Sequence, residues 1–183
     1  MRNDIERVLI DEAVIDKRLD AMAAEIERDF PQGPLVVIIL LKGALVFAAD
    51  LLRRVPRVLE IECLNVASYH GGLESSGVVD FLDRHFPEVK GHQVLLLDDI
   101  LDTGRTLHAV SRRLIDEGAL AVKTAVLLAK DKVRAAEVEA DYVGFEIGDD
   151  FVVGYGLDYQ GKYRNLPYVG ILKAGSIQPE EVV

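Results

Sequence analysis

Apolar and polar positions along the chain alternate between two rhythms. Residues 35–41 (LVVIILL), 94–97 (VLLL) and 122–129 (VKTAVLLA) are largely apolar runs, the pattern of strands buried on both faces of a parallel sheet. Residues 58–68 and 142–147 read as further strands. Between these runs the period changes. Residues 11–30 place Val14, Ile15, Leu19, Met22 and Ile26 on one helical face, and Pro31-Gln32-Gly33-Pro34 ends that helix. Residues 44–54 and 107–117 read as two more helices, the second closed by Gly118, and 133–138 as a short one. Residues 69–77 are polar and Gly-rich, the composition of a loop, with 78–82 as a return strand. Strand alternating with helix predicts an α/β fold with a parallel, doubly wound sheet. Residues 151–172, rich in Gly, Tyr and charge, are too irregular for another strand–helix unit and read as a small lobe over the strand ends. No repeat or low-complexity tract interrupts the pattern.

Composition narrows the picture. With 183 residues, half of them hydrophobic, the chain can bury a sizeable core as one domain. Its net charge of −10, from 31 acids against 21 bases, excludes the basic footprint of a nucleic-acid binder. Any anionic ligand must be met by Lys and Arg placed locally. The single Cys63 rules out an internal disulfide, fits a reducing cytosol, and reads as an inert core residue of its strand. The first residues, MRNDIERVLI, carry no signal-peptide pattern, and the longest apolar run, 34–41, is too short to span a bilayer. A cytoplasmic protein with no membrane partner is expected.

The chemistry concentrates in residues 94–107, VLLLDDILDTGRTL. An apolar strand ends in two carboxylates, Asp98 and Asp99. The loop Asp102-Thr103-Gly104-Arg105-Thr106 then enters a helix expected to begin near Leu107. Open α/β sheets bind ligands beyond the carboxyl ends of their strands. A helix N-terminus offers backbone N–H groups and a positive dipole end to a phosphate. Thr103 and Thr106 add hydroxyl donors, and Gly104 permits close backbone approach. The adjacent acids repel a bare phosphate but suit sugar hydroxyls or a divalent metal. The site therefore calls for a ligand with a phosphate and a diol, accompanied by Mg²⁺.

The run DDILDTGRT resembles the phosphoribosyl pyrophosphate motif of the type I phosphoribosyltransferases. Four further segments are similar to the 6-oxopurine (hypoxanthine-guanine) branch of that family, within a match that runs from near residue 8 to residue 172: LLKG at 40–43, SYHGG at 68–72, AKDK at 129–132, and DFVVGYGLDY at 150–159 followed by YRNL at 163–166. The resemblance implies a parallel sheet flanked by helices with a small C-terminal hood. It implies one domain over 1–183, with a core of about 30–148 and a hood of about 149–183 joined by the N-terminal segment. It also implies transfer of the 5-phosphoribosyl group from phosphoribosyl pyrophosphate to hypoxanthine or guanine, with Mg²⁺ as cofactor and a homodimer or homotetramer as the assembly.

Residue roles follow from the same resemblance. Lys42 and Gly43 would contact pyrophosphate, as would Arg164 through its bidentate guanidinium. Ser68 and Tyr69 would close over the site and exclude water. Asp98 and Asp99 would hold the ribose hydroxyls, directly or through metal. Thr103, Gly104, Arg105 and Thr106 would hold the 5-phosphate, and Asp102 would accept the purine proton. Lys130, an ammonium with donors only, would read the 6-oxo group and disfavour the adenine amino group. Lys132 is expected in solvent. Phe151 would stack on the base, Val152 would offer backbone groups to it, and Asp158 would sit near Mg²⁺ and the base edge. Two features depart from the family pattern: Asp98 stands where Glu is frequent, and residues 80–91 match poorly.

Two other functions fit parts of the sequence. A regulator of this fold that senses the same ligand would need a nucleic-acid surface, and only the small clusters Arg53-Arg54 with Arg57 and Arg112-Arg113 offer one. An enzyme of the same type for another base, such as xanthine, shares the 6-oxo contact and is separated only by contacts at the neighbouring ring position.

Overall fold

A computed structural model describes residues 2–30, 33–67, 80–83, 85–132, 135–136 and 138–176. The elements in order are β1 (Ile5–Ile10), α1 (Glu12–Asp29), β2 (Leu35–Leu41), α2 (Leu45–Leu52), β3 (Leu59–Ala67), β4 (Asp80–Phe81), β5 (Gln93–Leu101), α3 (Arg105–Asp116), β6 (Ala121–Lys130), β7 (Tyr142–Ile147), β8 (Val152–Val153) and β9 (Val169–Leu172). The main sheet has the order β4-β3-β2-β5-β6-β7. Its five long strands run parallel, and β4 returns antiparallel to β3.

Strand composition explains the layering. Leu35, Val37 and Ile39 point to one face and Val36, Ile38 and Leu40 to the other, so β2 is buried on both. The first face carries α1 and α2. Ile15, Leu19, Met22 and Ile26 of α1 and Phe47, Ala48 and Leu51 of α2 join Leu95 and Leu97 in one core. The second face carries α3, through Leu107, Val110 and Leu114. Asp11 opens α1 by accepting the Val14 N–H at 3.0 Å, an N-cap with the expected side-chain chemistry.

A smaller sheet, β1-β9-β8, is not hydrogen-bonded to the main one, but its Ile10, Val152, Val169 and Ile171 pack into the same core as α1 and α2. Residues 5–10, where the sequence reading placed no element, pair antiparallel with β9 through Ile5↔Leu172 and Ile10↔Val169. Only Ile5 and Ile10 of that strand are buried, a pattern too weak to read locally.

Four expectations change. β5 runs on through Leu101 because Asp98, Ile100 and Leu101 continue the ladder to β6. α3 begins at Arg105, two residues early, because Gly104 (φ 79°) makes the turn alone. The helix expected at 133–138 is not formed at its described residues, Ala135, Ala136 and Val138: the N–H groups of Ala135 and Ala136 donate instead to the Thr103 carbonyl, at 3.0 and 3.3 Å. Cys63 is exposed rather than in the core. It pairs with Ile39 of β2 and shares a face of β3 with Ile61, which is also exposed. Among the described residues no helix is long and apolar enough to cross a membrane.

Candidate active site

The parallel ladder brings three strand ends together: β2 leads into Lys42 and Gly43, β5 carries Asp98 and Asp99 toward Asp102, and β6 ends at Lys130. The acidic pair is partly buried. Asp98 Oδ1 accepts the Asp99 N–H at 3.0 Å, and Asp99 Oδ1 accepts the Ile100 N–H at 2.8 Å. Burial, reinforced by the charge of Asp99, pushes the Asp98 carboxyl well above the usual carboxylate range. Burial also raises Asp99, and these hydrogen bonds and Arg164 oppose that rise.

The 42–43 loop lies directly on this pair. The Leu41–Lys42 peptide is cis. A β-carbon on Gly43 would sit 1.7 Å from Asp99 Oδ2, so only glycine leaves room for the carboxylate. Lys42 is exposed.

After β5, Asp102 meets two cations. Its Oδ2 lies 3.8 Å from Lys130 Nζ, and its Oδ1 pairs with Lys132 Nζ. Both ammonium groups also reach Asp149 Oδ1, at 3.0 and 3.3 Å. Lys132 is therefore not the solvent-facing residue expected from sequence; Asp102 above all holds its ammonium charged, with pKa raised. Asp149 was missed as well. Its only signal was an acidic residue shortly before Phe151.

The residues expected to meet the 5-phosphate lie around the start of α3. Gly104 caps α3 without a side-chain oxygen, so no capping side chain covers the positive end of this 12-residue helix. Thr103 and Thr106 are partly buried there, and Arg105 is exposed. The loop is anchored from behind: a β-carbon on Gly104 would meet Val138 Cγ1 at 2.6 Å.

The smaller sheet supplies the rest. Phe151 is 47% exposed, unusual for so large an aromatic, and meets Tyr159 edge to face at 5.6 Å. Val152 is buried in β8, paired with Ile171. Arg164 binds Asp158 at 2.6 Å and donates to the Gly156 carbonyl at 2.6 Å. Asp158 also accepts the Gly161 N–H at 2.6 Å. Gly156 has φ 104°, and a β-carbon there would lie 2.1 Å from the Gly43 carbonyl oxygen. The hood thus touches the 42–43 loop, a junction that no local sequence signal marked. Ser68 and Tyr69 lie outside the described residues.

Similarity to known proteins runs through these same segments. The phosphoribosyl transferase domain model matches residues 10–160. A hypoxanthine-guanine phosphoribosyltransferase of Staphylococcus epidermidis is 44% identical over 174 residues, covering 95% of this chain and 97% of that one. The crystal structure of a hypoxanthine phosphoribosyltransferase from Staphylococcus aureus superposes with a TM-score of 0.92 at 40% identity, covering 98% of this chain and 97% of that one. A Trypanosoma cruzi hypoxanthine phosphoribosyl transferase, studied for the role of its C-terminal region in oligomeric state and activity, gives a TM-score of 0.88 at 36% identity. That match covers 94% of this chain and 93% of the other. A family match over most of the length, with close relatives covered almost end to end, places the chain in the phosphoribosyltransferase family, in its hypoxanthine-guanine branch.

Proposed function

We propose that this protein transfers the 5-phosphoribosyl group of phosphoribosyl pyrophosphate to hypoxanthine and guanine, releasing pyrophosphate. The observation that carries the reading is one strand edge holding a buried acid pair, a helix start without a capping side chain, and an acid flanked by two lysines. In the reaction the anomeric carbon–oxygen bond to pyrophosphate breaks and a carbon–nitrogen bond to the purine forms. The proton displaced from the purine ring goes to Asp102. The sugar passes through an oxocarbenium-like state, as in glycoside chemistry.

Each residue then has one task. Thr103, Gly104, Arg105 and Thr106 hold the 5-phosphate at the start of α3. Asp98 and Asp99 accept the ribose hydroxyls. Lys42, Gly43 and Arg164 face the pyrophosphate, Arg164 after leaving Asp158. Phe151 stacks on the base, Val152 offers its backbone, and Lys130 donates to the 6-oxo group. Ser68 and Tyr69 close the site. Water exclusion protects an activated sugar from hydrolysis.

Mg²⁺ fits the acidic pair. Desolvated and mutually repelling carboxylates would gain from a divalent cation, a hard ion that takes oxygen ligands. Asp98 and Asp99 would hold it, with Asp158 joining once released from Arg164. Bound there, it would neutralise charge on the departing pyrophosphate.

The whole chain is read as a single domain, with the smaller sheet as hood. A homodimer or homotetramer is part of the proposal, supported by the large apolar residues Leu45, Val58 and Ile61 left exposed in this chain. The cytoplasm is the compartment in which the exposed Cys63 thiol stays reduced. The deciding experiment is a Mg²⁺-dependent assay with phosphoribosyl pyrophosphate and, separately, hypoxanthine, guanine, xanthine and adenine. Nucleotide from the first two and none from adenine is expected. Folded protein that forms nucleotide with no base would overturn the proposal and favour a ligand-sensing role. Product from xanthine alone would shift the substrate.

A further inference from the structure

The hood and the pyrophosphate side of the site share a connection that the reaction scheme does not use. Tyr155 lies between Val152 and Asp158, is 4% exposed, and has φ 52°, a left-handed backbone that bulky residues rarely adopt. Such a conformation persists only where its surroundings hold it. Here two bonds do so. Its N–H donates to the Leu166 carbonyl at 2.9 Å, and its hydroxyl donates to Asp50 Oδ2 at 2.5 Å. Burial and the Asp50 carboxylate raise the phenol above its ordinary value, so it remains a donor throughout the working pH range.

Asp50 lies on α2, the helix that follows Lys42 and Gly43 directly. That helix is itself fixed. Arg54 donates to the Asp50 carbonyl at 2.8 Å and reaches across to Asp16 and Asp20 of α1 at 2.5 and 2.9 Å. On the other side of Tyr155, the Gly156 N–H donates to the Arg164 carbonyl at 2.9 Å, and Gly156 abuts the Gly43 carbonyl. One side chain therefore spans from the helix behind the 42–43 loop to the segment that carries Val152 and Asp158.

We propose that Tyr155, through its bond to Asp50, is a positioning residue that couples the two halves of the site: with the strut in place, phosphoribosyl pyrophosphate at the 42–43 loop sets the hood for the base. The inference rests on the reading that these two segments hold the two substrates. A coupling of this kind appears as affinity of one ligand changed by the other.

The test uses Tyr155→Phe, which deletes the hydroxyl and leaves Asp50 paired with Arg53. Tyr142→Phe is a matched control: Tyr142 is 3% exposed and donates to Asp29 at 2.9 Å, but it lies at the amino end of β7, away from the site. Both variants lose a buried hydrogen bond to a carboxylate, and their melting temperatures should fall comparably. Only Tyr155→Phe should raise KM for hypoxanthine at saturating phosphoribosyl pyrophosphate, by about fivefold to tenfold, a fraction of what such a bond is worth. Its Kd for phosphoribosyl pyrophosphate alone, by calorimetry with Mg²⁺, should stay within about twofold, since most of the contacts proposed for that ligand, at 42–43 and 98–106, lie outside the hood. A Tyr155→Phe protein with an unchanged KM for hypoxanthine and only a lowered melt would reduce the bond to packing and overturn the proposal. If that variant does not fold, Asp50→Asn, which keeps an acceptor oxygen, decides by the same KM and Kd comparison. Wild-type protein that transfers to no base would defeat the underlying reading; active wild type with an unaffected strut variant would defeat only this inference.

Discussion

Gly43→Ala is the sharpest perturbation the structure offers, because a single methyl group separates two explanations of that glycine. Gly43 does not have a left-handed backbone, so alanine suffers no dihedral penalty there. The obstacle is space. The added carbon would lie 1.7 Å from Asp99 Oδ2 and 2.4 Å from its Cγ, where contacts under 3.0 Å essentially never occur. The carboxylate must therefore retreat by more than about 1 Å, or the loop must, and either motion pulls apart the acid pair and the 42–43 loop. Misplacement of about 1 Å in a reacting constellation costs on the order of 10²-fold, which corresponds to about 2.7 kcal/mol of barrier. Crowding at a partly buried site adds about 1–3 kcal/mol of lost stability. The assay is steady-state kcat/KM for nucleotide formation beside a thermal melt, with Gly175→Ala as control, since among the described residues nothing lies within 4 Å of a β-carbon at that position. Activity within twofold of wild type and an unchanged melt would refute the packing of Gly43 on Asp99, and with it the strand-edge geometry of the site.

Four other outcomes are expected. Asp102→Asn keeps the shape but cannot accept the purine proton, so kcat should fall by about 10²–10⁴ while phosphoribosyl pyrophosphate still binds by calorimetry. Lys130→Ala should reduce discrimination between hypoxanthine and adenine by about 10–100-fold, the value of a hydrogen bond to a charged donor, read as a ratio of kcat/KM values. Asp98→Asn should trade activity for stability. The Asp98 carboxyl is raised, so the folded state holds its proton more tightly than the unfolded chain, and stability falls as pH rises from the ordinary value of 3.8 through the raised one. The variant should then melt at a higher temperature than wild type at pH 8 without metal, as kcat/KM drops. Asp29 behaves oppositely: hydrogen bonds from Lys123 and Tyr142 lower it to about 2, so its contribution is present above pH 3.8 and lost as pH falls through about 2. Asp29→Asn should flatten the acid limb of the melting curve between those values.

Much of this was legible in the amino-acid sequence because the signals are local. A strand buried on both faces must be apolar throughout, so 35–41 and 94–97 declare themselves. A helix on a sheet must bury one stripe, so α1 is found to within a residue at each end. Adjacent acids at a buried strand end followed by a Thr-Gly-Arg-Thr turn have little purpose in packing alone, so the 98–106 segment points to a phosphate, a diol and a metal. Tertiary structure decided whatever depends on residues far apart in sequence. β1 becomes a strand only because β9 lies beside it. Lys132 and Asp149 enter the site because β6 and β7 end at the same edge, where four charges must neutralise one another. Cys63 and Ile61 are exposed on one face of β3, and nothing in the composition of that strand marks that face as uncovered. Gly156 and Tyr155 meet the 42–43 loop and α2 across more than a hundred residues. Periodicity reports which face of an element is buried; it carries no record of which distant surface does the burying.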